Sequence, residues 1–209
     1  MKPNYIEFKK QRDLGEIISD TFAFLRAEFK PFFSTFFKIV GPFLAAMIVA
    51  LVAYLYFIGN GFTFMLQNES GAASIATIFV VGLVYVLSII VLYTMSQSTV
   101  LHYIKSYTNG KGTTDFNTIR KEVYGSFWSF IGLGIMVSLS ILVGLMICIL
   151  PGVYLYVPLA LSFSIMVFDK MGASDSYSYS FKLVKDEWWI SFATIFVIGI
   201  ILYIAALAF

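Results

Sequence analysis

The side chains with the greatest capacity for chemistry lie close together in one long apolar stretch of the sequence. They form a polar run followed by the only histidine: Thr94, Ser96, Gln97, Ser98, Thr99 and His102. In a membrane helix, hydroxyl and amide groups either bond to neighbouring helices or line a polar cavity. Both interpretations stay open for Thr94, Gln97 and Ser98. No carboxylate lies within one helical turn of His102, so we expect an interfacial histidine or, as the alternative, a proton-linked group.

Motifs that carry a known chemistry are missing from the sequence. It has no Gly-x-Ser-x-Gly, no phosphate-binding loop and no His-Glu-x-x-His. Its one cysteine, Cys148, lies in an apolar run and is expected to be a small hydrophobic residue. We therefore expect no catalytic residues, no metal and no cofactor. The basic residues are spread out, which suits anionic lipid and predicts no binding of nucleic acid.

The composition predicts an all-α integral membrane protein. Hydrophobic residues make up 59% of the chain and charged residues only 12%, whereas a soluble domain has about 25% charged residues. Since about 20 apolar residues cross the hydrocarbon core, we expect about five transmembrane helices within a single polytopic domain, 1–209. The apolar runs are 32–58, 74–104, 127–149, 153–168 and 189–209. We expect a kink at Pro42 and a tight turn at Pro151-Gly152.

The distribution of positive charge predicts the orientation of these helices. All 14 Lys and Arg residues fall in 2–38, in 105–121, at Lys170 and in 182–185, and none lies in 59–73 or 150–153. Positive charge is retained on the cytoplasmic side. Five crossings with a cytoplasmic N-terminus place every basic residue inside, and 59–73 becomes an outer loop.

Three amphipathic segments, here called elbows, precede predicted crossings. They are Leu14–Phe33, Asp115–Phe127 and a segment that starts near Ser174. We expect them to be helices that lie in the membrane interface, capped by an Asp13–Glu16 box in the first and by Thr114 or Asp115 in the second. The expected interface anchors are Phe22, Arg26, Phe29, Phe116, Arg120, Phe181, Lys185, Trp188 and Trp189.

The elbows share the pattern Phe-x-x-apolar-basic-x-Glu, with a further Phe five residues on. Its glutamates are Glu28, Glu122 and Glu187. The pattern indicates helix-hairpin repeats over about 11–105, 113–168 and 173–209, although convergence between interfacial helices would look similar. The third repeat lacks a second helix, so either the chain is asymmetric or a sixth helix is expected beyond Phe209.

The last third of the sequence resembles a bacterial membrane family. The resemblance rests on Pro151-Gly152, Gly172, Ser180, Leu183 and Trp188-Trp189. The family is named after the membrane domain of glycerophosphodiester phosphodiesterases and includes uncharacterised multi-helix relatives. The resemblance implies six helices and a bacterial inner-membrane location. It implies no activity here, because in the named members the esterase activity belongs to an attached soluble domain.

Two functions are compatible with these features. The first is a non-enzymatic subunit of a membrane protein complex, which would contact the lipid bilayer and other membrane proteins. The second is a transporter or lipid-handling protein for a small amphiphile. The second function requires Thr94 and Gln97 to face a hydrated cavity, whereas dry helix packing around them would argue against it.

Overall fold

The computed structural model describes residues 14–67 and 71–207, and every regular element in these ranges is an α-helix. The all-α fold class is therefore confirmed. The six helices are α1 (Leu14–Gln67), α2 (Gly71–Asn109), α3 (Phe116–Ile147), α4 (Ile149–Phe168), α5 (Ala173–Val184) and α6 (Trp188–Leu207).

Four of these helices, α1 to α4, are long and apolar enough to cross a membrane. This finding agrees with the multi-pass character that the composition predicts. α6, with 20 residues, coincides with the fifth predicted crossing, and it is not among the four helices counted as spans. The fifth crossing and the interfacial position of the elbows stay predictions.

The first elbow and the first crossing are one continuous helix, α1. Pro31 and Pro42 both lie inside it, so Pro31 does not end the helix. Proline fixes a backbone angle that is compatible with a helix, and other groups can bond the carbonyl that it leaves free. The predicted cap at Asp13 lies outside the described residues. The segment 59–73 is helical over its described residues, because α1 continues to Gln67 and α2 starts at Gly71. Its position on the outer side stays a prediction.

The chain groups into two compact units. The first contains the residues up to Phe29 together with those from Leu101 onwards, and the second contains Lys30–Val100. In the second unit the rings of Tyr54 and Tyr85 stack at 5.5 Å. Gly82 lies beside them, since a Cβ there would be 3.1 Å from the Tyr54 ring. Aromatic stacking over a glycine therefore joins α1 and α2 in this unit.

The core of the first unit lies among α3, α4 and α5. Its buried residues recur at helical spacing along α3 and α4: Phe130, Leu133, Val137, Leu159, Met166 and Val167. The hydroxyls of Ser140 and Tyr177 are 2.8 Å apart and add a polar contact between α3 and α5. The third predicted elbow corresponds to α5, which begins at Ala173 as a separate helix of 12 residues.

The turn between α3 and α4 lies at Cys148, three residues before the predicted Pro151-Gly152 turn. Cys148 is the only residue between the two helices, with an extended backbone at φ −168° and ψ 157°. Pro151 and Gly152 belong to the first turn of α4. A proline is tolerated there because the first N–H groups of a helix have no partner within it. The left-handed residue of the next turn is Lys170, with φ 53°.

Gly144 and Gly152 let the two helices of this hairpin approach closely. A Cβ at Gly144 would lie 3.0 Å from the Gly152 Cα and 3.0 Å from the Leu155 Cδ1. A Cβ at Gly134, ten residues earlier on α3, would meet no atom within 4 Å. Gly144 is thus packed against α4, whereas the space around Gly134 is open.

We expect Gly144→Leu to destabilise the purified protein by about 1–3 kcal/mol, because the larger side chain forces α3 and α4 apart. The matched control is Gly134→Leu, which should leave the melting temperature in detergent nearly unchanged. Equal losses in the two variants would contradict the hairpin geometry.

A candidate functional site at the end of helix α2

The end of α2 is shaped by a glycine turn. The Lys111 N–H bonds to the Thr108 carbonyl at 3.3 Å and the Gly112 N–H to the Tyr107 carbonyl at 2.9 Å. Lys111 and Gly112 both have positive φ, 48° and 96°, which is the usual left-handed termination of a helix. At Gly110 a Cβ would lie 2.1 Å from the Thr113 carbonyl oxygen. This turn sends the chain back towards α3.

Asp115 starts α3, as one of the two predicted caps. Its carboxylate accepts from the N–H of Asn117 at 3.2 Å and from the N–H of Thr118 at 3.1 Å. The Thr118 hydroxyl also donates to it. That hydroxyl bond, followed by the backbone bonds, lowers the pKa of the Asp115 carboxyl below its ordinary value. The Asp115 carboxylate is therefore charged at neutral pH, and its negative charge stabilises the N-terminus of α3.

A buried carboxylate meets α2 next to this turn. Glu28 is 3% exposed and Tyr103 is 0% exposed. The Tyr103 hydroxyl donates to Glu28 Oε2 at 2.9 Å. One turn away, the rings of Phe24 and Tyr107 meet edge to face at 5.0 Å. The first segment of α1 is thereby fixed to the end of α2 by one polar and one aromatic contact.

A second carboxylate approaches α2 from α3. Lys105 Nζ is 3.0 Å from both oxygens of Glu122. His102 Nε2 is 4.0 Å from Glu122 Oε2, and the His102 ring lies 6.0 Å from the Phe130 ring. The sequence places no acid near His102, but the fold does, because Glu122 comes from another helix. A contact between distant helices cannot be predicted from the spacing of residues along the sequence.

The two bonded glutamates occupy the same position of the predicted repeat. Glu28 bonds to Tyr103 and Glu122 bonds to Lys105, so both meet partners on α2. The third copy differs, because Glu187 is exposed. The repeated glutamate thus contacts α2 in two of the three predicted copies.

A polar cleft of about 290 Å³ opens beside the Lys105–Glu122 pair. Its walls carry an amine, carboxylates, hydroxyls and an amide: Lys105, Ser106, Asn109, Thr113, Thr114, Asp115, Thr118 and Glu122. Within the part of the chain that the structure describes, no group of three or more His, Cys, Asp or Glu residues could hold a metal ion. The arrangement can hydrogen-bond water or a small polar molecule.

The predicted polar run lies earlier on α2, in the other unit. Thr94 and Ser98 are buried, and the buried Thr99 hydroxyl donates to the Met95 carbonyl at 2.7 Å. The half-buried Gln97 has its amide nitrogen 3.4 Å from the Tyr93 hydroxyl. Burial of Thr94 and Ser98 favours the helix-contact interpretation over a hydrated cavity.

The predicted interface anchors divide into exposed and packed side chains. Six are exposed, as an anchor requires: Phe22, Arg26, Phe29, Arg120, Lys185 and Trp189. Phe116 and Phe181 are half-buried. Within the tryptophan pair, Trp189 is 76% exposed, whereas the Trp188 indole stacks on Tyr154 at 5.4 Å and donates to the Tyr154 carbonyl at 3.3 Å. Trp188 therefore fixes α6 to α4.

No protein-family model, no curated protein and no solved structure matches this chain. The resemblance to the membrane domain of glycerophosphodiester phosphodiesterases thus stays a prediction from the residues alone.

We expect Tyr103→Phe to lower the stability of the protein by about 1–3 kcal/mol, because the buried Glu28 carboxylate loses a donor. For a chain of this size, that corresponds to roughly 2–10 °C in melting temperature. The control is Tyr203→Phe, which removes a hydroxyl from an exposed residue of α6. A Tyr103→Phe protein as stable as the control would show that the buried bond contributes nothing.

Proposed function

We propose that this chain is a non-enzymatic subunit of a membrane protein complex in the bacterial inner membrane, with its N-terminus in the cytoplasm. The observation that carries the proposal is a line of small residues on the outside of α3. Positive charge confined to one predicted side supports the orientation. The resemblance to a bacterial membrane family supports the location.

The small residues of α3 fall on two faces of the helix. Ser140 and Gly144 face the interior, where Ser140 meets Tyr177 and Gly144 meets Gly152. Gly134 and Ser138, four residues apart, lie on the next face. Ser138 is exposed, and the space around Gly134 is open.

A small-xxx-small pair on an outward face allows a second membrane helix to approach closely. Packing within the chain accounts for Ser140 and Gly144, but not for Gly134 and Ser138. A helix of another membrane protein is the partner that this face fits, since close van der Waals packing is what drives helix association in lipid.

The alternative function, handling of a small amphiphile, is favoured by a different feature. The second unit has an apolar cleft of about 660 Å³ between α1 and α2. Its lining includes Tyr54, Phe79, Gly82 and Tyr85. A cleft of this size and polarity suits a hydrocarbon chain. In this alternative the cleft, and not the polar run, would hold the amphiphile.

The test is purification of the full chain from native membranes in mild detergent, followed by mass spectrometry of copurifying proteins and lipids. We expect membrane protein partners in stoichiometric amounts. Gly134→Leu combined with Ser138→Leu should remove them, because the larger side chains block the close approach.

The matched control is Gly199→Leu on α6, where a Cβ also meets no atom within 4 Å. It adds a leucine at another open position and should retain the partners. Partners that survive the α3 changes, or a protein that purifies alone, would contradict the proposal. A lone protein that carries one defined lipid would support the alternative, and Gly82→Leu should then expel that lipid.

A further inference from the structure

We propose that the outer face at the start of α3 binds the phosphate group of an anionic phospholipid through Arg120 and Lys121. This inference is independent of the assembly proposal, because it rests on other residues of α3. It assigns a defined lipid site, whereas an interface anchor requires only a general affinity for headgroups.

The two cations line a shallow cleft on the surface of the first unit. The cleft measures about 380 Å³, and Asn117, Arg120, Lys121 and Tyr124 line it. The Arg120 guanidinium carbon lies 5.9 Å from the centroid of the Tyr124 ring, which orients the guanidinium by a cation–π contact. An oriented guanidinium, an amine and an amide together match the donors that a phosphate accepts from.

Neighbouring acids do not neutralise these cations. Asp115 is bonded to Thr118 and to the first N–H groups of α3, and Glu122 is bonded to Lys105. Among the residues that the structure describes, no carboxylate forms an ion pair with Arg120 or Lys121. The cleft therefore keeps two positive charges that are available to an anion.

The length of α3 places this cleft at the membrane surface. α3 has 32 residues, and about 20 of them cross the hydrocarbon core. Roughly the first dozen residues therefore extend beyond the core, up to Trp128. Trp128 is 78% exposed, and tryptophan is enriched at the level of the interface.

Polarity along the outer face of α3 follows the order of groups in a phospholipid. The cations come first, then the exposed Tyr124 and Trp128, and then the exposed aliphatic residues Ile135 and Leu139. A phosphate at Arg120 and Lys121 therefore places the glycerol and ester groups beside the aromatic rings. The acyl chains then follow the aliphatic part of the helix.

Two glycines leave room for the lipid on this face. Lys121, Gly125, Trp128 and Gly132 follow one another at helical spacing. A Cβ at Gly125 or at Gly132 would meet no atom within 4 Å. Among the residues that the structure describes, nothing covers these two glycines. The glycerol group can therefore lie against Gly125 and an acyl chain against Gly132.

The first test is native mass spectrometry of the full chain in detergent with added phosphatidylglycerol or phosphatidylcholine. We expect one tightly retained phosphatidylglycerol, preferred over phosphatidylcholine roughly tenfold or more. Arg120→Gln with Lys121→Gln should abolish the preference. The control pair Lys182→Gln with Lys185→Gln, which removes two exposed charges at the end of α5, should keep it.

Three outcomes of the lipid comparison would overturn the proposal. They are equal retention of both lipids by the unaltered protein, a preference that survives in the α3 pair, and a preference that is lost in both pairs. A millimolar excess of inorganic phosphate should leave the lipid bound. Displacement by inorganic phosphate would identify a site for soluble phosphates and would also overturn the lipid assignment.

A second measurement needs no charge variant and so does not depend on its folding. The protein is reconstituted into two kinds of phosphatidylcholine vesicle. One contains a small fraction of brominated phosphatidylglycerol, and the other contains the same fraction of brominated phosphatidylcholine. The difference in tryptophan emission between the unaltered protein and the Trp128→Phe variant is the emission of Trp128. Brominated phosphatidylglycerol should quench this emission more strongly, and equal quenching by the two lipids would contradict the site.

Discussion

Two carboxylates bonded to α2, the buried Glu28 and the half-exposed Glu122, impose the main constraint on the first unit. Glu28 comes from α1 and Glu122 from α3, and each is bonded by a residue of α2, Tyr103 and Lys105 respectively. A buried charge without a partner costs several kcal/mol. The two bonds therefore fix which residues of α1 and α3 face the end of α2.

The same two bonds explain why polar residues gather at the end of α2. The glycine turn after α2 and the Asp115 cap bring α3 back beside α2, which is the arrangement that Lys105 and Glu122 require. Because Glu122 is turned inwards, Arg120 and Lys121 face outwards on α3. One ion pair thus explains the inner polar cleft, and it keeps Glu122 bonded to Lys105 and not to the outer cations Arg120 and Lys121.

Local features of the sequence predicted the parts of the structure that local forces determine. The all-helical class follows from the long apolar runs, and the Asp115 cap follows from a carboxylate just before an amphipathic run. The turn at Cys148 was misplaced because proline is as acceptable in the first turn of a helix as in the turn before it. The continuity of the first elbow with the first crossing was missed for a related reason, since a proline such as Pro31 is accommodated within a helix.

Contacts between distant segments were beyond the reach of the sequence. Nothing near His102 indicates Glu122, and nothing near Tyr103 indicates Glu28. The repeat pattern did single out both glutamates by position, but it did not show that they face α2. Likewise, the small residues of α3 gave no indication of which would pack inside and which would stay open.

We propose that the polar end of α2 lies on the cytoplasmic side of a multi-pass membrane protein. The most direct test uses single cysteines at Asn68 or Asn109 in a Cys148→Ser background and a membrane-impermeant thiol reagent applied to intact cells. We expect labelling at position 68 from outside, and labelling at position 109 only after the cells are permeabilised. The reverse pattern would contradict the orientation, and labelling of both positions from outside would place the two ends of α2 on the same side of the membrane and contradict a crossing by α2.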